Sequence, residues 1–241
     1  MGGGAQWRLQ SPLEAGRELI CVDLPGFGAN AEQDPINSIA GFAEWVLADL
    51  KRQRIEEFDL LGHSMGGMIV QEMVRQAPAR ICRLILYGTG ASGVLPGRFE
   101  TIETSMQRAR TDGATATARR ISATWFLHRE AAAEYPACAT IAEQSGLPAI
   151  LAGLEAMRDW SGLDSLARIH HPVMIIWGDG DRTYGWPQIE QMWRTIPDSH
   201  LAVLPACAHA VHLERAHLFN ELVDDFLSPS LSLLVGIRDR D

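Results

Sequence analysis

The chain has 241 residues, of which 46% are hydrophobic and 21% charged, and it carries a formal net charge of −9. This composition is that of an ordinary globular protein, with enough apolar residues for one large α/β domain or two small ones. The negative charge and the lack of a Lys/Arg cluster argue against nucleic acid as a partner. No apolar run reaches the roughly 18 residues of a membrane span. We therefore expect a small-molecule substrate and no membrane association.

The amino-terminal residues and the cysteines indicate the compartment. Residues 1–4 have neither the basic region nor the apolar stretch of a signal peptide. The four cysteines form no C-x-x-C pair, which predicts reduced thiols and neither a metal site nor a redox motif; they are Cys21, Cys82, Cys138 and Cys207. We expect Cys21 and Cys82 to pack as small core residues, because both lie in apolar runs. These features predict a cytoplasmic protein without a cofactor, for which a homo-oligomer is one option.

Strand-like and helix-like segments alternate along most of the chain. Short apolar runs predict buried strands at residues 18–23, 58–62, 83–87, 172–177 and 200–204. Apolar residues at helical spacing predict helices at residues 39–50, 65–77 and about 218–226. This alternation predicts an α/β fold, with a mostly parallel sheet covered by helices on both faces.

One region interrupts the alternation. Between about residues 91 and 169 no strand is predicted, and helix-like stretches occupy residues 99–110, 114–127, 131–144 and 148–160. An all-helical insertion in an α/β domain predicts a lid over the strand ends. The expected organisation is therefore a first core part at 1–91, a helical lid at 92–169, a second core part at 170–227 and a tail at 228–241.

The strongest chemical signal is the G-x-S-x-G sequence at residues 62–66, between a predicted strand and a predicted helix. Such a turn pushes the hydroxyl of Ser64 out of the backbone. We expect both flanking glycines to be required, because a Cβ there would collide with the neighbouring strand and helix. The same turn aims the backbone N–H of Met65 at the space beside the hydroxyl, where the helix dipole is positive. The pattern predicts that Ser64 is a nucleophile, with a simple tight loop as the alternative.

A serine hydroxyl needs a base, and the base needs an acid that fixes its tautomer. His209 is the preferred base because it lies in a loop between the last predicted strand and the closing helix. His212 is the competitor, a surface histidine is the alternative, and His63 adjoins the nucleophile and points elsewhere. Asp179 and Asp181 both follow the fourth predicted strand. We favour Asp181 as the acid, since Asp179 lies in the turn itself and is typical of turns.

Four stretches together resemble the α/β-hydrolase superfamily, in its branch of small esterases, lactonases and carbon–carbon bond hydrolases; they are residues 23–28, 62–67, 177–181 and 209–214. The resemblance implies the fold of that family and the triad order Ser64, Asp181, His209. It also implies an oxyanion hole of two backbone N–H donors. Met65 would supply one donor and Gly3 the other, in a loop where Met stands in place of the usual His.

The serine excludes those relatives that use an aspartate nucleophile. We expect hydrolysis of a carboxylic ester or lactone through an acyl-enzyme intermediate, on a small to medium, largely apolar substrate. Cleavage of a carbon–carbon bond beside a ketone is the alternative, and a catalytically inactive binding module is an alternative of another class. The apolar lid residues expected at the pocket are Trp125, Phe126, Met157 and Trp160, and either Trp125 or Trp160 is expected to face Ser64.

The resemblance also raises a question about the sheet. Relatives begin with two or three strands before the oxyanion loop, whereas this chain begins at that loop. The strand that leads into the loop would lie between residues 19–23 and 58–62, and buried backbone groups there would need partners. Three outcomes are expected: the two strands pair directly, the tail at 230–237 fills an edge, or the recorded sequence lacks residues. We favour the third, because residues 2–4 resemble the middle of a motif.

Overall fold

The structure is a computed structural model that describes residues 1–228. Its centre is a parallel sheet in the order β1-β2-β3-β4, formed by β1 (Phe58–His63), β2 (Ile81–Tyr87), β3 (Val173–Gly178) and β4 (Ser199–Leu204). The register pairs Gly62 with Leu86 and Ile176 with Ala202. The middle strands β2 and β3 are buried over most of their length, as expected for parallel strands that are covered on both faces.

Helices surround this sheet at α1 (Ile39–Arg52), α2 (Met65–Gln76), α3 (Ile102–Asp112), α4 (Ala114–Ala123), α5 (Tyr135–Ala142), α6 (Leu147–Arg158), α7 (Trp186–Thr195), α8 (Val211–Glu214) and α9 (Ala216–Leu227). On one face of β2, Leu84 and Leu86 belong to the buried cluster that includes α1 and α2. On the other face, Ile85 and Tyr87 pack with α9. Because successive strand residues point to opposite faces, both faces are covered, and the predicted fold class is confirmed. Among residues 1–228, no helix is both long and apolar enough to cross a membrane.

Residues 18–23 form no strand, which corrects the prediction for that segment. A cavity of about 600 Å³ separates the segment from β1, and it is lined on the two sides by Leu19, Ile20, Val22, Phe58, Leu60 and Leu61. Paired strands lie roughly 5 Å apart, so the gap prevents pairing. The expectation of direct pairing is therefore wrong for the described residues. The predicted strand at 230–237 lies outside them.

The helical region at 92–169 contains α3 to α6, and their bounds differ from the predicted stretches by a few residues. The largest shifts are of four residues: α5 begins at Tyr135 instead of 131, and α4 ends at Ala123 instead of 127. There the hydroxyl of Thr124 donates a hydrogen bond to the Ile121 carbonyl at 2.6 Å, and the chain turns. Helix α7 and a 3₁₀ helix at Gly4–Glu14 were not predicted.

The cysteines are free thiols, but their burial differs from the prediction. Cys21 and Cys82 are exposed, whereas Cys138 and Cys207 are buried. Cys21 belongs to the segment that does not join the sheet, and Cys82 lies near the beginning of β2, where the strand is still accessible. An apolar run therefore failed to predict burial at both positions, because each lies outside the covered part of the sheet.

Candidate active site

Ser64 lies in the turn between β1 and α2 with a strained backbone. Its φ is 56° and its ψ is −120°, a region that non-glycine residues rarely adopt. The Ser64 N–H donates to the Tyr87 carbonyl at 3.0 Å, and the Gly67 N–H donates to the Ser64 carbonyl at 2.9 Å. The Thr89 hydroxyl donates to the same carbonyl at 2.7 Å. Three hydrogen bonds thus hold the turn that presents the serine hydroxyl.

The glycines around Ser64 are not equally constrained. A Cβ on Gly62 would collide with the carbonyl oxygen of Gly66, and a Cβ on Gly67 would collide with the Thr89 side chain. A Cβ on Gly66 would meet nothing within 4 Å. The expectation that both glycines flanking Ser64 are sterically required therefore holds for Gly62 and is wrong for Gly66, which faces open space.

The structure brings Asp181 and His209 together. The Asp181 Oδ2 lies 2.8 Å from the His209 Nδ1, and both side chains are fully buried. A carboxylate oxygen accepts, so Nδ1 carries the hydrogen and Nε2 of the neutral ring keeps a lone pair. This Nε2 is buried without a hydrogen-bond partner. The other carboxylate oxygen accepts from the N–H groups of Thr183 at 2.7 Å and Tyr184 at 3.3 Å. Asp181 therefore orients the imidazole so that Nε2 can take up a proton.

Asp179 makes a different contact from Asp181. Its side chain accepts a hydrogen bond from the Ala206 N–H at 2.9 Å, and the residue is exposed. This contact joins the loop after β3 to the loop after β4. Of the two aspartates, Asp181 is the one that contacts His209.

The other two candidate histidines lie behind His209. The Nε2 of His63 lies 3.0 Å from the backbone carbonyl of His209, so Nε2 donates. The ring of His212 stacks on Trp7 at 4.6 Å, and its Nδ1 lies 3.0 Å from the Tyr87 hydroxyl. Burial, reinforced by the nearby His209, lowers the pKa of His63 well below its usual value and that of His212 to about 3. Both rings are therefore neutral near pH 7, and both contact groups other than a carboxylate.

Two tyrosines at the site were missed in the sequence. The Tyr87 hydroxyl donates to the His209 carbonyl at 2.7 Å. The ring of Tyr184 stacks on His209, with centroids 5.7 Å apart and an interplanar angle of 19°. Burial raises the pKa of Tyr184 to about 12, and the side chains of Ser64 and Thr89 oppose this by approaching its hydroxyl. Neither completes a hydrogen bond of normal geometry with that hydroxyl, which is buried without a partner.

A signal for each tyrosine exists in the sequence. Tyr87 is the last residue of β2, at the carboxyl edge of the sheet, where open α/β sheets bind ligands. Tyr184 follows Asp181 by three residues, in the loop that carries the acid. Both positions could therefore have been proposed from the strand ends alone.

The sequence model of the alpha/beta hydrolase family matches residues 2–222 of this chain. The chain belongs to the α/β-hydrolase family. It is similar to the pimeloyl-[acyl-carrier protein] methyl ester esterase of Aromatoleum aromaticum, with 26% identity over 238 residues that cover 92% of this chain and 93% of that protein. The resemblance to a family of hydrolytic enzymes is thereby confirmed.

Two solved structures share the fold of this hydrolase. The esterase EaEST of Exiguobacterium antarcticum has a TM-score of 0.85 at 20% identity, covering 94% of this chain and 88% of that one. The enol-lactonase of Burkholderia xenovorans LB400 has a TM-score of 0.83 at 22% identity, covering 94% of this chain and 87% of that one. At these identities the likeness concerns the fold alone.

The cavity of the hydrolase extends from the gap beside β1 to Ser64. Met65 and Gly3, the two expected oxyanion donors, line it together with Ser64. Met65 begins α2, so its N–H is one of those at a helix start that no helical carbonyl pairs. Next to Gly3, the Gly4 N–H donates to the Asp23 carboxylate at 2.7 Å, which fixes the course of the first residues.

Of the four expected pocket residues, two line the cavity and two do not. Trp125 and Met157 line the cavity, and the ring of Trp125 lies 6.2 Å from that of His209. Phe126 is fully buried in a separate cluster with Cys138, because the chain turns immediately after α4. Trp160 packs against the main core, and its side chain helps to lower the pKa of Glu72. The prediction that Phe126 and Trp160 line the pocket is therefore wrong.

Within residues 1–228, no group of three or more His, Cys, Asp or Glu side chains is arranged to bind a metal ion.

Proposed function

We propose that this hydrolase cleaves a carboxylic ester or a lactone, with Ser64 as nucleophile, His209 as base and Asp181 as the acid that orients the base. The observation that carries the proposal is the buried 2.8 Å contact between Asp181 Oδ2 and His209 Nδ1. Tyr184, whose hydroxyl the Ser64 side chain approaches, stacks on the same His209, and Ser64 itself has a strained backbone. Strained non-glycine residues persist where the surrounding structure holds them, and they cluster at active sites.

Acylation follows from these positions. The Ser64 Oγ attacks the carbonyl carbon while its proton passes to His209 Nε2. The carbonyl oxygen becomes an oxyanion, which the N–H groups of Met65 and Gly3 stabilise; losing one such donor costs about 100- to 1000-fold in rate. His209 then gives the proton to the leaving oxygen, the bond to the alcohol breaks, and the acyl group stays on Ser64.

Deacylation repeats the same steps with water. His209 Nε2 takes a proton from the water as its oxygen attacks the acyl carbon. The second oxyanion occupies the same donors, and the Ser64 oxygen leaves with the proton from His209. Asp181 keeps its charge throughout and stabilises the imidazolium in both halves of the reaction.

The cavity and the relatives favour a small to medium substrate with apolar parts. A cavity of about 600 Å³ lies within the size range of ligand pockets, and its lining is mainly apolar. An esterase acting on a methyl ester, a second esterase and an enol-lactonase are among the similar proteins. Ester and lactone hydrolysis pass through the same kind of oxyanion, so one site can serve either bond.

The test is the turnover of short p-nitrophenyl esters by the wild type and by Ser64→Ala and His209→Ala. Each substitution should lower kcat by about 10⁶, and the double variant should lose little more, because triad members act as a unit. Retention of most of the activity in Ser64→Ala would show that another group is the nucleophile. Thermal melting of each variant serves as the control for folding.

The same assay separates the alternatives. A carbon–carbon bond hydrolase would turn over a dienoic diketone and leave the esters intact. An inactive binding module would turn over neither substrate. An ester hydrolase should cleave the p-nitrophenyl ester, and a lactonase should also open simple lactones.

A further inference from the structure

Arg98 is a cation in the wall of the cavity that contains Ser64. It is half-buried and lies in the loop between β2 and α3. Among the described residues, the other cavity-lining members of the Arg, Lys, Asp and Glu types are Arg17, Glu18, Glu57 and Asp59. Glu57 and Asp59 lie where β1 begins, and Arg17 interacts with Asp59. These four therefore lie at the end of the cavity away from Ser64, which follows β1.

Tyr184 connects Arg98 to the nucleophile. Its buried hydroxyl is approached by the Ser64 side chain and also interacts with the charge of Arg98. The backbone N–H of the next residue, Phe99, donates a hydrogen bond to the Arg182 carbonyl at 3.2 Å, in the loop between Asp181 and Tyr184. Phe99, next to Arg98, lines the same cavity, and the guanidinium carbon lies 4.2 Å from the centre of its ring. Arg98 is thus held at the Ser64 end of the cavity.

The charge of Arg98 lacks a carboxylate partner within residues 1–228. Its NH1 donates to the Glu100 backbone carbonyl at 2.6 Å and to the Ser105 hydroxyl at 3.0 Å. The Glu100 carboxylate is occupied by Arg120 at 2.6 Å and Arg108 at 3.3 Å.

Burying an unpaired cation at this position costs free energy. The Arg98 Nε is buried without a hydrogen-bond partner, and burial lowers the pKa of the side chain. Transferring a charge out of water is unfavourable unless an opposite charge and hydrogen bonds compensate it. A guanidinium is well suited to carboxylates, because its N–H groups form a planar fork that matches the two oxygens. The missing partner is therefore an anion with the chemistry of a carboxylate.

We propose that Arg98 binds a carboxylate of the substrate, in the same cavity in which Ser64 attacks the ester. The inference rests on the proposed function and narrows it. The preferred substrates are acidic esters, in which an apolar chain joins the scissile ester to a free carboxylate. An uncharged ester of equal length fills the same cavity but leaves Arg98 unpaired.

Binding to the Ser64→Ala protein tests the proposal without turnover. The probes are monomethyl succinate, monomethyl glutarate and monomethyl adipate, each compared with its neutral dimethyl ester by titration calorimetry. At least one half-ester should bind about 10-fold or more tightly than its dimethyl counterpart, the range expected of a charge-assisted hydrogen bond. The added variant Arg98→Gln should abolish this preference, whereas Arg98→Lys should keep part of it. The matched control is Arg52→Gln, which removes an exposed arginine outside the cavity and should leave the preference unchanged.

The binding experiment can fail independently of the turnover experiment that tests the proposed function. Equal binding of each half-ester and its dimethyl ester, or a preference that survives Arg98→Gln, would overturn the subsite. If the protein with Arg98→Gln does not fold, the comparison of half-esters with dimethyl esters in the Ser64→Ala protein, where Arg98 is intact, still tests the subsite. A failure of wild-type ester turnover would count against the role of Ser64 and would leave the binding result standing.

Discussion

His209 lies between two groups of side chains that are built differently. Behind it, the Tyr87 hydroxyl and the His63 Nε2 both donate to its backbone carbonyl, at 2.7 Å and 3.0 Å. The Tyr87 oxygen also accepts from the backbone N–H of His212 at 3.2 Å. In front, toward Ser64, the Tyr184 hydroxyl and the His209 Nε2 are buried without hydrogen-bond partners. The first group fixes the backbone of His209, and one ring nitrogen in it, the His212 Nε2, is also without a partner. The second group makes no such contact to the backbone of His209 and leaves its polar atoms unused.

The difference distinguishes groups that hold His209 in place from groups that are available to react. A buried polar group without a partner costs about 1–3 kcal/mol, and most such groups in folded proteins are paired. The Tyr184 hydroxyl is approached by the Ser64 side chain, and the His209 Nε2 belongs to the ring on which Tyr184 stacks. A reacting group there must gain and lose hydrogen bonds. Departures from full pairing are expected at functional sites. The predictions below change one group at a time and ask whether activity or stability responds.

Among these changes, the largest effect is expected at Asp181. Asp181→Asn should lower kcat by about 10⁴, because an amide favours the wrong tautomer of His209. The thermal unfolding temperature should change little by comparison. Ester turnover at saturating substrate is the measurement.

The matched control for this change is Asp179→Asn. Asp179 is exposed and contacts the Ala206 N–H rather than His209. An amide oxygen can still accept that hydrogen bond, so kcat should stay within about 10-fold of the wild type. Equal losses in the two variants would mean that the pairing seen in the structure does not decide the tautomer.

The second prediction compares the two buried tyrosines. Tyr87→Phe should lower the free energy of unfolding by about 1–3 kcal/mol, because it leaves the N–H groups of His212 without an acceptor. Tyr184→Phe removes a hydroxyl that has no partner, so it should leave the free energy of unfolding unchanged or raise it. Urea unfolding of both variants measures the difference.

Tyr135→Phe is the control for this pair, because the Tyr135 hydroxyl makes only a long, exposed contact of 3.4 Å with the Arg119 carbonyl. It should change the free energy of unfolding by less than about 0.5 kcal/mol. A loss of stability in Tyr184→Phe as large as in Tyr87→Phe would contradict the distinction between the two groups of side chains.

The third and smallest effect concerns pH. Burial lowers the pKa of His212 to about 3, while in the unfolded chain it is about 6.5. Between these values the unfolded chain binds a proton that the folded chain does not, so lowering the pH favours unfolding. The free energy of unfolding should therefore fall by about 1.4 kcal/mol per pH unit for this residue as the pH drops below its unfolded pKa.

His212→Gln should reduce this pH dependence by one proton, as measured by urea unfolding between about pH 7 and pH 5. His217→Gln is the control, since the His217 side chain is 87% exposed. A slope that is the same in His212→Gln and in the wild type would show that His212 is protonated in the folded protein.

The sequence was informative where one physical requirement dominated. The strands β1 to β4 were predicted because parallel strands that are buried on both faces must be apolar. The run at 18–23 is equally apolar but forms no strand, since pairing depends on a neighbour that the local sequence does not specify. Cys21 is exposed for the same reason.

Within the site, the residues that we propose for covalent and proton-transfer roles could be predicted from local patterns. Ser64 follows a strand and precedes a helix, and Asp181 and His209 lie in loops that follow strands. Tyr184 lies in the loop that carries Asp181 and could have been proposed from that position. Arg98 was missed because its significance lies in a contact that it lacks rather than in a motif. Phe126 and Trp160 were misplaced, because apolar lid residues pack among themselves as readily as they line a cavity.

The most direct test of the account is covalent labelling by a fluorophosphonate, which needs an activated serine but no particular substrate. Mass spectrometry of the digested protein should find one adduct, on the peptide that contains Ser64. The labelling rate should fall by about 10³ or more in His209→Ala, because the base is lost, and should stay close to the wild-type rate in Tyr135→Phe. An adduct on another residue, or an unchanged rate in His209→Ala, would contradict the assignment of Ser64 and His209 as nucleophile and base.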